Sequence, residues 1–180
     1  MVNVIHIFGA SGSGTTTLGE AIDKTMGYKH LDVDDYFWVP SDPPYEIKRA
    51  PDERQKSLKV DIANSQKSVI SGSLCGWGDV FIPYFDLAIF VDTPTELRIR
   101  RIKQREYNKL GNRILLGGDM YDKHIAFIEW ARGYDKLGVE QRSRVLHKEW
   151  MKKLKCPAIT VDGALPTDYL VSQIYEIIKN

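Results

Sequence analysis

Residues 9–16 have the sequence Gly-Ala-Ser-Gly-Ser-Gly-Thr-Thr and follow directly on the apolar run Val4–Phe8. Glycines at the first and sixth positions of such a segment let successive backbone N–H groups converge on phosphate oxygens. The usual pattern, G-x-x-x-x-G-K-[ST], has a lysine where this chain has Thr15, and it keeps its last hydroxyl in Thr16. The sequence therefore predicts a phosphate-binding loop without the customary ammonium group.

The context of the loop supports this interpretation. Leu18 and Ile22 are spaced for one face of a helix over residues 15–26, and Gly27 suits a left-handed C-cap. A helix that begins at the loop directs its N-terminal dipole and free N–H groups at an anion. A Gly/Ser-rich turn that binds nothing is the alternative, and the flanking elements disfavour it. We expect the nucleotide phosphates at eight positions, Gly9, Ser11, Gly12, Ser13, Gly14, Thr15, Thr16 and Thr17, and Mg²⁺ on Thr16.

Strand-like and helical segments alternate along the chain. The strand-like runs cover residues 4–8, 28–33, 68–71, 87–91 and 158–161, and helical patterns begin at Pro51 and Thr95 and cover residues 120–130, 139–154 and 168–178. Residues 93–96 have the pattern of a capping box with proline at the first helical position, and Gly111 is expected to end that helix. This alternation predicts an α/β fold with a parallel sheet and helices on both faces. No long linker or repeat divides the chain, so we expect one domain over residues 1–180.

Composition limits the class of function. The net charge of +1 provides no overall attraction to nucleic acid or to an anionic membrane, so RNA binding is the least favoured role. Cys75 and Cys156 are too few for a disulfide scaffold and form no zinc-binding pair. No signal peptide and no membrane-spanning apolar run is evident. We expect a cytoplasmic protein, monomer or homodimer, whose partner is a small molecule.

Aspartates follow the second strand-like run, at the edge of the sheet where ligands bind in open α/β folds. If the strand continues through this region, Asp32 and Asp34 share one face and point towards the phosphates. A carboxylate there can orient the water ligands of Mg²⁺ or accept a proton from an attacking hydroxyl. The alternative is that one of them caps the next turn. We select Asp34 as the base or metal helper, and regard Asp35 as equally suited to a structural role.

Aromatic and glycine-rich segments follow the second and third strand-like runs. Residues 36–38 and 43–45 are rich in aromatic side chains and proline, and residues 71–79 contain three glycines. Such loops can hold a planar or apolar acceptor, with Arg49 or Arg54 meeting a carboxylate or phosphate, or they can simply cover the sheet. The candidate acceptor-binding residues are Asp32, Trp38, Arg49, Gly72, Ser73 and Trp77. The four histidines have no ligand spacing and are interpreted as structural.

The helix that follows the fourth strand-like run has a basic face, which is expected to compensate for the lysine that Thr15 replaces. Arg98, Arg101 and Arg105 are spaced i, i+3, i+7 and share one helix face. Arginines on a mobile segment neutralise the charge of a transferring phosphoryl group, although a solvated basic face is the alternative. Arg101 and Arg105 are the preferred pair. Glycines in residues 110–118 suit the hinge of a closing lid.

These motifs together resemble those of the small P-loop kinases, the nucleoside monophosphate kinase and shikimate kinase group. The Phe-Val-Asp-Thr-Pro segment at 90–94 and the Val-Asp-Gly segment at 161–163 are part of this resemblance. The glycine loop at 9–17, the Leu-Asp-Val-Asp-Asp-Tyr-Phe-Trp segment at 31–38 and the Ser-Gly-Ser-Leu-Cys-Gly-Trp-Gly segment at 71–78 more closely resemble a group of bacterial proteins labelled adenylate-kinase-like. A loop threonine in place of lysine is similar to archaeal cytidylate kinases. The resemblance implies a three-layer P-loop NTPase fold, with a five-stranded sheet in the order 2-3-1-4-5 and a helical lid at about residues 105–135. The sequence departs from adenylate kinases in two ways. It lacks the Asp-Gly-Phe-Pro-Arg run that those enzymes have after the third strand, and it has no zinc-binding cysteine cluster in the lid.

The predicted function is an ATP-dependent, Mg²⁺-requiring kinase that phosphorylates a small metabolite or a nucleotide. In this hypothesis Asp34, Arg101 and Arg105 are the catalytic residues. A nucleotide-binding sensor that lost its chemistry with the lysine is one alternative, and slow NTP hydrolysis that drives a conformational cycle is another. The sequence leaves the acceptor open.

Overall fold

The computed structural model describes residues 2–179, which form a parallel five-stranded sheet with helices on both faces. The strand order is β2-β5-β1-β6-β7, which is the predicted order 2-3-1-4-5 when the five strands of this sheet are counted along the chain. The strands are β1 (Val4–Gly9), β2 (Lys29–Asp32), β5 (Ser68–Ser71), β6 (Leu87–Asp92) and β7 (Ala158–Asp162), and β3 (Trp38–Val39) and β4 (Ile47–Lys48) form a separate antiparallel hairpin. The predicted fold class is confirmed.

Within residues 2–179, seven α-helices connect or cover the strands. They are α1 (Thr15–Met26), α2 (Val33–Phe37), α3 (Pro51–Ala63), α4 (Thr95–Leu110), α5 (Tyr121–Gly133), α6 (Arg144–Met151) and α7 (Thr167–Lys179), and 3₁₀ turns lie at Asp79–Tyr84 and Gly111–Ile114. Among the described residues, no helix has the length and apolar character needed to cross a membrane.

The central strand β1 is buried because it pairs on both sides and is covered on both faces. Ile5 lies opposite Val69 of β5 and Leu87 of β6, and all three are at most 2% exposed. One apolar cluster packs β1 against α1 and α7, and the other packs it against α3 and α6. A strand buried in this way is apolar at nearly every position, which is why its sequence has no alternation.

The capping box predicted for α4 is wrong. The helix begins at Thr95, Pro94 is its N-cap rather than its first residue, and no side chain caps it. The hydroxyl of Thr93 instead donates to the carbonyl of Ser13, at 3.0 Å. The Thr93 hydroxyl therefore forms a tertiary hydrogen bond with the glycine loop instead of capping the helix, as the local pattern predicted.

Two further boundaries differ from the prediction. The pattern over residues 139–154 is helical only at α6, because Ser143 caps that helix by accepting from the Leu146 N–H at 3.0 Å. The second strand ends at Asp32, and Asp34 lies in the first turn of α2 rather than on a strand. Asp32 is the N-cap of α2 and accepts from the Asp34 N–H at 2.9 Å, so the side chains do not have the alternation that the sequence suggested. Asp34 nevertheless stays beside Asp32 at the end of the sheet.

Candidate active site

A cavity of about 980 Å³ lies at the carboxyl ends of β1 and β2. Residues from the glycine loop and α1 form its floor, and α2, the β3–β4 hairpin and α4 form its walls. The lining includes ten of the predicted site residues: Gly12, Gly14, Thr15, Thr16, Thr17, Asp32, Asp34, Trp38, Arg101 and Arg105. His30, which we interpreted as structural, also lines it, and its Nε2 is 2.8 Å from the Ser71 hydroxyl.

The glycine loop adopts backbone conformations that favour glycine. Gly12 and Gly14 have φ values of 77° and 103°, in the left-handed region. At Gly12 a Cβ atom would lie 2.6 Å from the Arg98 carbonyl oxygen, so the loop packs directly on α4. Gly14 is the N-cap of α1, and Thr15 is the first residue of that helix. The free N–H groups of the first turn of α1 therefore lie at the cavity floor.

Thr16 and Asp32 form a pair of oxygen donors in the cavity. The Thr16 hydroxyl donates to Asp32 Oδ2 at 2.8 Å, and Oδ1 of the same carboxylate holds the start of α2. Hydroxyl and carboxylate oxygens suit Mg²⁺, which usually retains several water and phosphate ligands. Within residues 2–179, no cluster of three or more His, Cys, Asp or Glu side chains has the geometry of a metal site. The pair fits an ion held mainly by phosphates and water.

Asp34 lies beside this pair in an environment that favours its protonated form. The pKa of the Asp34 carboxyl is raised, first because the protein around it displaces water and second because of the charge on Asp32. Arg142, Arg105 and Trp38 act in the opposite direction. A carboxylate with a raised pKa is a stronger base, and such a group in a cleft is typical of acid–base chemistry.

The three arginines predicted to share one face of α4, Arg98, Arg101 and Arg105, have different surroundings. Arg98 is 1% exposed and binds the carbonyls of Thr93 and Ala131 and the carboxylate of Asp135, so it joins α4 to the end of α5. Arg101 lines the cavity, and its Nη1 donates to the carbonyls of Ser13 at 3.3 Å and Gly163 at 2.9 Å.

The remaining arginine of that face, Arg105, also lines the cavity, and its charge reaches Asp34. Nη1 of Arg101 would be 3.7 Å from a Cβ atom placed on Gly14, directly beside the loop. A cation thus lies next to Thr15.

Sequence reasoning missed Arg142, in the connection between α5 and α6. Its charge acts on Asp34 and on the thiol of Cys75, and burial lowers its own pKa. No local pattern identifies Arg142, because the segment that contains it is held by contacts of Arg144 and His147 with residues distant in sequence. Arg144 binds both oxygens of Asp92 at 2.8 Å, and His147 shares hydrogen bonds with Ser73 (2.9 Å) and Tyr134 (2.7 Å).

Seven of the predicted site residues do not line the cavity: Gly9, Ser11, Ser13, Arg49, Gly72, Ser73 and Trp77. Arg49 donates to the carbonyls of Tyr36 and Trp38, where it supports the hairpin. Trp77 is 9% exposed and packs on Arg54, whose guanidinium also lies 4.3 Å from the Phe37 ring centroid. Tyr45 and Lys109, which sequence reasoning did not select as site residues, line the cavity instead.

A family model described as an AAA domain matches residues 5–119, which is more than half of the chain. The chain belongs to the AAA-domain family. The matched region of this AAA-domain protein includes the glycine loop, the aspartates after β2 and the arginines of α4.

Several relatives and solved structures that are similar to this AAA-domain chain are named as small-molecule or nucleotide kinases. It is 40% identical to the uncharacterized protein YqaC of Bacillus subtilis, over 98% of this chain and 97% of that protein. It is 32% identical to a cytidylate kinase of Pyrococcus abyssi, over 57% of this chain and 61% of that enzyme. The fold is similar to that of a deoxyadenosine kinase from M. mycoides (TM-score 0.60, 15% identity, 98% and 100% coverage) and a shikimate kinase from Bacteroides thetaiotaomicron (TM-score 0.56, 16% identity, 100% of both). The resemblance to small P-loop kinases is confirmed.

Proposed function

We propose that this chain is an ATP- and Mg²⁺-dependent kinase that transfers a phosphoryl group to a hydroxyl or phosphate oxygen of a small molecule. The observation that carries the proposal is the single cavity in which the glycine loop, the Thr16–Asp32 pair, Asp34 and the α4 arginines meet. Relatives named cytidylate kinase support the same class of reaction.

Each group has a role that follows from its chemistry. The N–H groups of residues 12–16 bind the phosphates, and Thr16 with Asp32 holds the ion. Mg²⁺, when bound, neutralises charge on the phosphate oxygens. Arg101 replaces the missing lysine from the opposite side of the loop, and Arg105 and Arg142 face the acceptor end near Asp34.

Phosphoryl transfer in this site forms one P–O bond, breaks another and moves one proton. The acceptor oxygen forms a bond to the terminal phosphorus of ATP, the bond from that phosphorus to ADP breaks, and the acceptor proton passes to the Asp34 carboxylate. The segment 105–135, which contains the end of α4 and all of α5, is the proposed lid that excludes water during this step.

A panel assay tests the proposal. Purified protein is incubated with Mg²⁺-ATP and a broad set of nucleosides, nucleoside monophosphates and hydroxy acids, and ADP formation is measured with and without each acceptor. Acceptor-dependent ADP is the expected result. Absence of turnover with every acceptor would count against a kinase, and equal ADP release without acceptor would indicate an NTP hydrolase.

Thr15→Lys separates a working site from a sensor that has lost its chemistry. If the threonine belongs to a working site with Arg101, a second cation next to the Arg101 guanidinium is expected to lower the existing rate. A variant that gains activity from a wild type with none would instead support the nucleotide-binding sensor. Thr25→Lys, at an exposed position of α1 that does not line the cavity, is the matched control.

A further inference from the structure

Residues 40–46 join β3 to β4 and form one wall of the cavity. We call this segment the strap. Pro40, Ser41, Pro44 and Tyr45 of the strap face the cavity, opposite Arg101, Arg105 and Lys109 of α4.

Three cations from the opposite wall contact the strap. Lys109 Nζ donates to the Tyr45 hydroxyl at 3.1 Å and lies 4.7 Å from its ring centroid. Arg113 Nη1 donates to Asp42 Oδ1 at 2.8 Å, and Lys123 pairs with Glu46. We call these three contacts the latch. All three cations belong to residues 109–123, within the proposed lid.

The local structure of the strap gives it little stability of its own. The strands on either side of it are two residues long, and Tyr45 has a φ of 65°, a left-handed conformation that is strained for a side chain of this size. Tyr45 is 49% exposed, and its ring makes an edge contact with Trp38 at 5.9 Å. A segment with few buried apolar contacts opens readily unless other contacts hold it.

We propose that the strap is a gate for the cavity, which the latch holds closed against the lid and whose opening admits and releases ligands. This inference rests on the proposed function only in taking the cavity as the ligand site. The latch joins the element after β2 directly to the lid, so the two walls open together when it breaks.

The chemistry of the latch suits reversible opening. Its charged groups are exposed to water, with side-chain exposures of 80% for Asp42, 36% for Arg113, 41% for Glu46 and 52% for Lys123. Exposed ion pairs are individually weak and are screened by salt, since the Debye length falls from about 10 Å at 0.1 M to about 3 Å at 1 M. Apolar contacts, in contrast, would not be weakened by salt in this way.

Charge reversal at Glu46 and Lys123 tests the latch, because neither residue belongs to the binding or catalytic set. Amide hydrogen exchange of residues 38–48 is followed by mass spectrometry in the wild type, Glu46→Lys, Lys123→Glu and the double variant. Each single variant places like charges together, and we expect exchange about three- to tenfold faster, with recovery in the double variant. Glu96→Lys is the matched control, because it breaks the exposed ion pair between Glu96 of α4 and Arg132 of α5. Neither of these residues contacts the strap in any described hydrogen bond or ion pair.

The gate is tested by the binding kinetics of a fluorescent ATP analogue. Glu46→Lys is expected to raise the association and dissociation rates by a similar factor, so that the Kd changes little, and 1 M NaCl should speed strap exchange in the wild type. Unchanged exchange in both single variants, or no recovery in the double variant, overturns the latch. Faster exchange with unchanged binding rates overturns the gate. If the analogue does not bind the wild type, the proposed function fails, and exchange still decides whether the latch exists.

Discussion

Thr15 begins α1 beside a guanidinium from another helix, and the proposed function depends on this arrangement. The threonine side chain supplies no charge, whereas Arg101 lies over the loop and binds its Ser13 carbonyl. Arginine remains charged at every relevant pH and presents several donors, so it can hold a phosphate and a carbonyl together. At the level of single residues, the loop lacks the usual lysine, but a positive charge from Arg101 lies beside it.

Asp34→Asn should lower kcat by about 10²- to 10⁴-fold, since the amide cannot accept the acceptor proton. The raised pKa of Asp34 places the acid limb of the wild-type pH–rate profile above the usual range of an aspartate, because activity requires the ionised form. The variant should lack that limb. Asp35→Asn is the control, and equal losses in both variants would contradict a specific role for Asp34.

His147→Gln should flatten the loss of stability in acid. Burial lowers the pKa of His147 to about 3, as it does for His6. Below pH 6.5 the unfolded chain takes up protons at these histidines and the folded chain does not, so the free energy of unfolding falls as pH falls, by up to about 1.4 kcal/mol per pH unit for each. Urea titrations between pH 6.5 and 5 measure this slope. An unchanged slope in the variant would show that His147 is not the titrating group.

At the scale of elements, α4 connects the glycine loop and the sheet to the proposed lid. Its N-terminal half packs on Gly12, its buried Arg98 reaches α5, and its C-terminal end contacts the strap. Apolar Ile99 and Ile102 face α5 in a separate cluster. Displacement of α4 is therefore expected to change the loop and the proposed lid together.

Arg98→Met should destabilise the fold by about 3 kcal/mol or more, because it removes four hydrogen bonds and leaves Asp135 without that cation. Arg100→Met, at the exposed neighbouring position, should change the free energy of unfolding by less than about 0.5 kcal/mol. Urea unfolding at pH 7 compares the two. Similar small effects would mean that the Arg98 contacts contribute little.

Gly12→Ala should be more costly than Gly117→Ala. Both glycines have positive φ, 77° and 86°, so both substitutions carry the left-handed penalty of roughly 1–2 kcal/mol. Only at Gly12 would the new Cβ meet a backbone oxygen, that of Arg98, at 2.6 Å, whereas the space at Gly117 is open. Thermal unfolding measures the difference, and equal shifts in Tm would refute close packing of the loop on α4.

The elements that sequence patterns predicted are those with strong local signals. The five strands, the glycine loop and α1 follow from apolar runs and capping glycines, and their bounds agree within one or two residues. The short helix α2 was missed because Asp32 has a dual position, last on its strand and N-cap of the helix. Arg142 and the strap could not be predicted, since contacts such as Arg144–Asp92 and Arg113–Asp42 join residues far apart in sequence.

At the scale of the whole molecule, ligand binding at one edge of the sheet should stabilise the entire domain. A ligand at 100 times its Kd adds about 2.7 kcal/mol to the free energy of unfolding. Mg²⁺-ATP should therefore raise Tm by several degrees, since each kcal/mol is worth about 2–4 °C in a chain of this size. Thr16→Ala or EDTA should remove most of the shift, and Ser172→Ala on α7 should not. No shift at millimolar Mg²⁺-ATP would contradict nucleotide binding.

Arg101 also binds the Gly163 carbonyl in the connection after β7, so the guanidinium bridges two loops that the chain places at opposite ends of its length. A lysine within the glycine loop would be a permanent fixture of that loop. In the proposed site the positive charge comes from a separate helix, so affinity for a polyphosphate would depend on the packing of α4 against the loop. On this proposal, any change that loosens α4 would release the nucleotide, and retention of the ligand would report on the folded arrangement around it.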